Sequence, residues 1–197
     1  NEFKTKIEEK GGNFVEAGIR ENLSYSRVRY GESAKGNKFI ALYFKDLSGA
    51  EVPKTEWEPK GATDDELNTK IKKQMKRINH MLVTSGILQE EDLNIKSTDF
   101  EDFANKLIAV LDKKADVNAK FRAKVVYDNN NFTTLPNYSE YKFIEPMSVS
   151  AETSKLRILG IDKINRIKPD AIITTVNPFE LENTTEASNL IKEDAPF

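Results

Sequence analysis

The sequence predicts an α+β, mainly β domain in which a meander of three strands is followed by two helices and then by further strands. Three observations predict it. Asn37 to Asp46, NKFIALYFKD, alternates with a period of two, so Ile40, Leu42 and Phe44 share one face while Phe39, Ala41, Tyr43 and Lys45 share the other. Two later stretches carry apolar residues at helical spacing, each opened by a Thr-x-x-Glu capping box, Thr63 with Glu66 and Thr98 with Glu101. Alternation then returns at Lys120 to Tyr127, KFRAKVVY.

Taken in order, residues Asn1 to Lys10 mix charge with a few apolar side chains, and Gly11-Gly12 breaks whatever short helix they form. Strand signals begin near Phe14 to Ile19 and are clear in NLSYSRVRY, where Tyr25, Arg27 and Arg29 fall with Leu23 on one face and Val28 and Tyr30 on the other. The loop Gly31 to Gly36, GESAKG, joins this strand to the next as an antiparallel hairpin and carries Lys35. Its two glycines are spaced as in a phosphate-binding loop, but Asn37-Lys38 stands where Lys and Ser or Thr are needed and a strand follows, so nucleotide hydrolysis is not indicated. Glu51 to Glu58 is a third strand, with Pro53 marking an edge or bulge. Trp57, the only tryptophan, suits either stacking or a plug in the core.

The first helix carries Leu67, Ile71, Met75, Ile78 and Leu82 as a stripe, with Lys70, Lys72, Lys73, Lys76 and Arg77 around it, and is expected to end near Gly86. Phe100, Phe103, Ala104, Leu107, Ile108 and Leu111 form the stripe of the second. In the strand after them, Phe121, Ala123, Val125 and Tyr127 face inward by the period of two, and Lys120, Arg122 and Lys124 face outward. Aromatics return at Phe132, Tyr138, Tyr141 and Phe143 with Lys142 among them, and Lys155 to Ile164 is expected to form a final strand. The body is therefore placed at residues 1–177 with its helical insertion at about 63–115, and residues 178–197, which lack periodicity, are expected to be a disordered acidic tail.

Composition bounds the function. The 197 residues include no Cys and one His, which excludes disulfide frameworks and Cys–His or multi-His metal sites. No apolar run is long enough to span a bilayer and no signal peptide opens the chain, so a soluble, cytoplasmic protein is expected. The net charge of −2 is unevenly distributed: from Pro178 onward five acids oppose Lys192 alone, so residues 1–177 carry +2 and the tail −4. A catalytic triad would have to run through His80, which lies beside the apolar stripe of the first helix and is better explained as structural. Acid clusters at Asp64-Asp65-Glu66 and Glu90-Glu91-Asp92 leave a metal-dependent nuclease or resolvase as an alternative, although acids in a helix's opening turn simply complement its dipole. No cofactor is indicated, and the expectation is a protein without enzymatic activity.

This element order suits a five-stranded OB-fold-like barrel with a helical insertion between strands 3 and 4, a scaffold whose central strands and loops often hold oligonucleotides. Aromatic and basic side chains on such a surface stack bases and follow the phosphate chain. The blocks KGNKFIALYFKD, KIKKQMKRINHML, KFRAKVVYDNN and LPNYSEYKFIEP, together with the acidic end EDAPF, resemble phage-type single-stranded-DNA-binding proteins. The resemblance implies binding and protection of single-stranded DNA without sequence preference during replication, recombination or repair. It also implies recruitment of a polymerase, primase or helicase through Glu193, Asp194, Pro196 and the terminal Phe197. The residues expected at the nucleic acid are Tyr25, Arg27, Arg29, Lys35, Lys38, Phe39, Tyr43, Lys45, Trp57, Lys120, Arg122, Lys124, Tyr138 and Lys142. The second alternative is a virion protein whose barrel binds another protein. Oligomeric state is left open.

Overall fold

The computed structural model describes residues 14–166. Six strands and two helices follow in the order β1 (Gly18–Glu32), β2 (Lys38–Lys45), β3 (Glu51–Trp57), α1 (Asp64–Leu82), α2 (Phe100–Lys114), β4 (Phe121–Tyr127), β5 (Thr133–Thr134) and β6 (Ile144–Pro146), with a short 3-10 turn at Glu90–Leu93. All described residues but Arg166 fall within one compact unit. The expected body boundary at 177 and the tail, with Glu193, Asp194, Pro196 and Phe197, lie outside the described residues.

The sheet is antiparallel, in the order β3-β2-β1-β4-β5, with β6 also paired to β4. β1 is long because it serves two ladders. Its first half pairs with β4, from Gly18 opposite Val125 to Leu23 opposite Phe121, and its second half pairs with β2, from Ser24 opposite Lys45 to Glu32 opposite Lys38. Two irregularities bend it: one at Glu21-Asn22, where Asn22 takes a left-handed φ of 59°, and one at Ser26, between the pairs Tyr25–Phe44 and Arg27–Tyr43. An extra residue on one strand of a pair twists and bends that strand.

The sheet does not close into a barrel. β3 and β5 share no ladder; they are tied by the Thr134 hydroxyl, which donates to the Pro53 carbonyl at 2.9 Å, and by Lys54 Nζ, which donates to the Leu135 carbonyl at 3.3 Å. Pro53 has no N–H to offer a neighbour, and β5 is two residues long, so the gap is spanned by side chains.

Hydrophobic burial sits on the inner face of the sheet. Ile40, Leu42, Phe44 and Val52 meet Ile78, Met81 and Leu82 of α1, Phe103, Leu107 and Leu111 of α2, and Phe121, whose ring stands edge-on to Phe44 at 5.4 Å. Both helices thus lie between β3 and β4 in sequence and cover the core, as the capping signals anticipate. Thr63 caps α1 by accepting from Glu66 N; α2 is capped one residue later than expected, by Asp99, which accepts from Asp102 N. Asp and Thr both cap, and the choice falls to the residue immediately before the buried Phe100. Only the C-terminal half of α1 is fully packed, since Ile71 is exposed and Ile78, Met81 and Leu82 are buried. Gly86 does not end α1 but turns the chain three residues beyond its Val83 cap, at a φ of 80° that favours glycine.

No strand forms over residues 155–164. The irregular chain from Met147 onward is fastened onto β4 by isolated backbone bonds, such as Tyr127 N donating to the Lys163 carbonyl at 2.7 Å, and by side chains. Among the described residues no helix is long and apolar enough to cross a membrane.

Candidate nucleic-acid interface

Antiparallel register sets side chains in rows across the outer face of β1, β2 and β3. Gly31, Phe39 and Trp57 form one row, Arg29, Ala41 and Thr55 the next, and Arg27, Tyr43 and Pro53 the third. Lys45 opposite Glu51 follows. A three-stranded face thus carries three aromatic rings and two arginines, with Ala41 the small residue between them.

The rings are held in place. Phe39 meets Trp57 edge-on at 5.2 Å, and Arg29 lies over Phe39 with its guanidinium carbon 5.8 Å from the ring centre. Gly31 makes this packing possible, because a Cβ there would stand 2.9 Å from the Phe39 ring. Arg27 stacks on Tyr43 at 3.5 Å from the ring centre while its Nη2 reaches Glu51 at 2.8 Å, and Ser26 donates to the same carboxylate at 2.6 Å. The Arg27 contact holds the Glu51 carboxyl below its ordinary range. Trp57 is 49% exposed, which rules out its role as a plug in the core. Flat rings at partial exposure beside fixed guanidinium groups offer stacking surface and positive charge together.

Lys35 is exposed at the tip of the 33–36 turn that closes the β1–β2 hairpin, and Lys45 is exposed at the end of β2. Lys38 is half-buried and ion-paired with Glu101 of α2 at 2.7 Å, which ties the hairpin to the helix. Beyond the edge of β3 the open face continues into a cleft of about 780 Å³ between β3, α1 and the 128–135 hairpin, whose walls include Trp57, Lys60, Lys73 and Phe132. Phe132, 62% exposed, and Thr55, Pro53 and Gly31 are parts of this surface that were not among the residues expected at the nucleic acid. Register arithmetic across β1, β2 and β3 is the signal that finds the last three; Phe132 needed the hairpin in place.

Six expected contacts lie elsewhere. Tyr25 is buried among core residues, and burial, with Asp112 nearby, pushes its phenol up to about 12. The bulge at Ser26 breaks the period of two, so Tyr25 turns inward with Leu23 while Arg27 and Arg29 turn outward. Arg122 and Lys124 do not face solvent: their side chains are 5% and 1% exposed. Arg122 pairs with Glu21 at 2.8 Å and Glu145 at 3.8 Å, and Lys124 pairs with Asp162 at 3.3 Å. Tyr138 joins the same cluster, its hydroxyl donating to Asp162 at 3.0 Å, and burial raises its phenol. Lys120 stays exposed just before β4, in the ladder of the covered strand, and Lys142 is exposed beside α1.

The remaining polar chemistry is structural in its geometry. His80 Nε2 accepts from Phe143 N at 3.3 Å, which leaves Nδ1–H to face the Thr84 hydroxyl at 3.0 Å. Burial, with Lys142 and Lys76 nearby, pushes the imidazole down to about 4, so it is neutral near pH 7. Lys54 is pushed down to about 8 by burial, against the pull of Glu56. Asp64, Asp65 and Glu66 occupy the first turn of α1, and among the described residues no cluster of three or more His, Cys, Asp or Glu is placed to hold a metal ion. No protein-family model matches the chain, and a search of curated proteins finds no match.

Proposed function

We propose that the open face of β1, β2 and β3 binds single-stranded DNA without sequence preference, and that the protein coats and protects such strands during phage or cellular DNA replication, recombination or repair. The observation that carries this reading is the ordered set Phe39, Trp57 and Tyr43 with Arg27 and Arg29 on one exposed sheet face. Stacking on aromatic rings contributes about 1–3 kcal/mol per base and tolerates any base, while the arginines neutralise phosphates. No catalytic step is part of the proposal.

The architecture behind it is an OB-fold left partly open. Support comes from the long bent β1 shared by two ladders, the order β3-β2-β1-β4-β5, the helices placed between β3 and β4, and the side-chain ties from β5 back to β3. In such barrels the central strands and adjacent loops hold the strand. The acidic end of the sequence, Glu193-Asp194-Ala195-Pro196-Phe197, is proposed to recruit replication proteins, supported by its order of acids, an apolar residue, Pro and Phe.

Titration with a labelled oligothymidylate at two salt concentrations, read also by Trp57 fluorescence, tests the binding face. Quenching of Trp57, weaker binding at the higher salt and much weaker binding of duplex are expected. Equal affinity for duplex, or no binding at low salt, overturns the proposal. For the tail, removing Ala187 to Phe197 is expected to keep DNA binding and to abolish capture of a polymerase, primase or helicase; retained capture refutes recruitment.

A further inference from the structure

Resting on the strand-binding reading above, we propose that a bound single strand does not stop at the sheet edge but continues past Trp57 onto helix α1, along a lysine track that ends in a hollow beside Tyr141. The cleft next to Trp57 supplies the first part of this path. Lys60, Lys70 and Lys73 line it, and Phe132 offers a further exposed ring on the opposite wall. Arg77 lines both this cleft and a second hollow of about 280 Å³, bounded by Lys76, His80, Tyr141 and Lys142, so the two adjoin at Arg77 on α1.

Charge favours a polyanion along this route, because the lysines of its walls outnumber the acids Glu56, Glu58, Asp128 and Glu140 that line them too. Lys76 and Lys142 are exposed and make no ion pair among the described residues, and Lys73 pairs with Glu140 at 3.8 Å, both side chains being more than half exposed. Lys70 is held by Glu66 at 2.6 Å, and Arg77 is committed to the buried Glu56, so these two shape the track and contribute less free charge. Lys76 and Lys142 both line the hollow beside His80 and Tyr141. Tyr141 is 53% exposed and rests edge-on against Tyr138 at 5.4 Å, a braced ring with one open face. The basic row on α1 therefore lies where a strand leaving Trp57 would run.

The test compares oligothymidylates of about 6 and about 16 nucleotides, within the range of lengths held by single OB-folds. The triple variant Lys73→Ala, Lys76→Ala, Lys142→Ala should bind the short oligomer as the wild type does. On the long oligomer its plot of log affinity against log salt should be shallower by about 2, at about 0.7 per lost phosphate contact. Tyr141→Ala should weaken the long oligomer about tenfold or more and leave the short one unchanged. Unchanged melting temperatures establish that the variants fold. Wild-type affinity and salt dependence of the variants on the long oligomer overturn the track. Failure of the sheet face is distinguishable: Phe39→Ala and Tyr43→Ala would then bind the short oligomer as well as wild type, and a wild type that binds neither oligomer removes both proposals.

Discussion

Two faces of this molecule look alike as sequence and end up opposite as structure. The outer face of β1, β2 and β3 and the outer face of β4 both alternate basic with apolar residues. On the first, the arginines lie over rings and remain half open to water; on the second, Arg122 and Lys124 are shut beneath the chain from Met147 onward. The difference lies in what each cation meets. Arg27, itself half exposed, shares its charge with the half-buried Glu51, whereas Lys124 faces Asp162 with both side chains 1% exposed. A buried charge survives only with a partner and hydrogen bonds, so β4 is a fastening and the other face a surface.

The largest effect that would sharpen this contrast is loss of the fastening. Lys124→Ala leaves the Asp162 charge buried without its cation and is expected to cost about 3–5 kcal/mol of stability in urea unfolding, whereas Lys124→Met with Asp162→Asn, which removes both charges and keeps an acceptor for Tyr138, should recover part of it. A Lys124→Ala protein of normal stability that has lost oligonucleotide affinity would erase the contrast. Next comes the open face. Phe39→Ala or Tyr43→Ala should weaken single-strand binding by about 1–3 kcal/mol with little change in melting temperature; a large fall in melting temperature would instead place these rings in the core.

Acid should act on the packed side. His80 titrates at about 4 in the fold against its ordinary 6.5. The folded form disfavours the proton, so the stability His80 contributes is complete above pH 6.5 and is lost as pH falls toward 4. Discounted for partial solvation, this amounts to about 1–2 kcal/mol. His80→Gln should flatten the stability profile in that window without changing affinity for the short oligothymidylate at pH 7; an unaltered profile would refute the assignment. The smallest expected effect is that of Arg29→Ala, which should reduce the salt dependence of binding by about 0.7, the share of one phosphate. No change would show that Arg29 only braces Phe39.

How legible each region was follows from its regularity. β2 contains no bulge, and its period of two places Ile40, Leu42 and Phe44 inside and Phe39, Tyr43 and Lys45 outside. β1 defeats the same arithmetic at Ser26, because nothing in the local sequence announces a bulge; the pairing with β2 sets it. β4 misleads for a different reason. Its alternation is real, but which face meets water depends on Glu21, Glu145 and Asp162, residues remote in sequence that no local pattern connects to it. The covering segment carries no strand period because it is held by scattered bonds rather than a ladder, such as Ser154 donating to Glu145 at 2.7 Å, Lys155 N donating to the same carboxylate and Tyr127 N donating to the Lys163 carbonyl. Trp57 was ambiguous because a strand's last residue can close a core or overhang it, and only the position of α1 decides.

The division of β1 between two ladders also orders events in time. Its second half meets β2 through a short hairpin, a contact that costs little loop entropy, while its first half must find β4 across the whole helical insertion, a distance marked by the 101 positions between Glu21 and Arg122. The β1–β2–β3 meander is therefore expected to nucleate first and the β4 ladder to dock late. Mutations such as Leu42→Ala would then slow folding, and Val125→Ala would mainly speed unfolding; stopped-flow φ-values of the reverse order would contradict this. On that sequence of events the surface that displays Phe39 and Tyr43 is assembled before the clasp over β4 exists, and opening the clasp need not dismantle it.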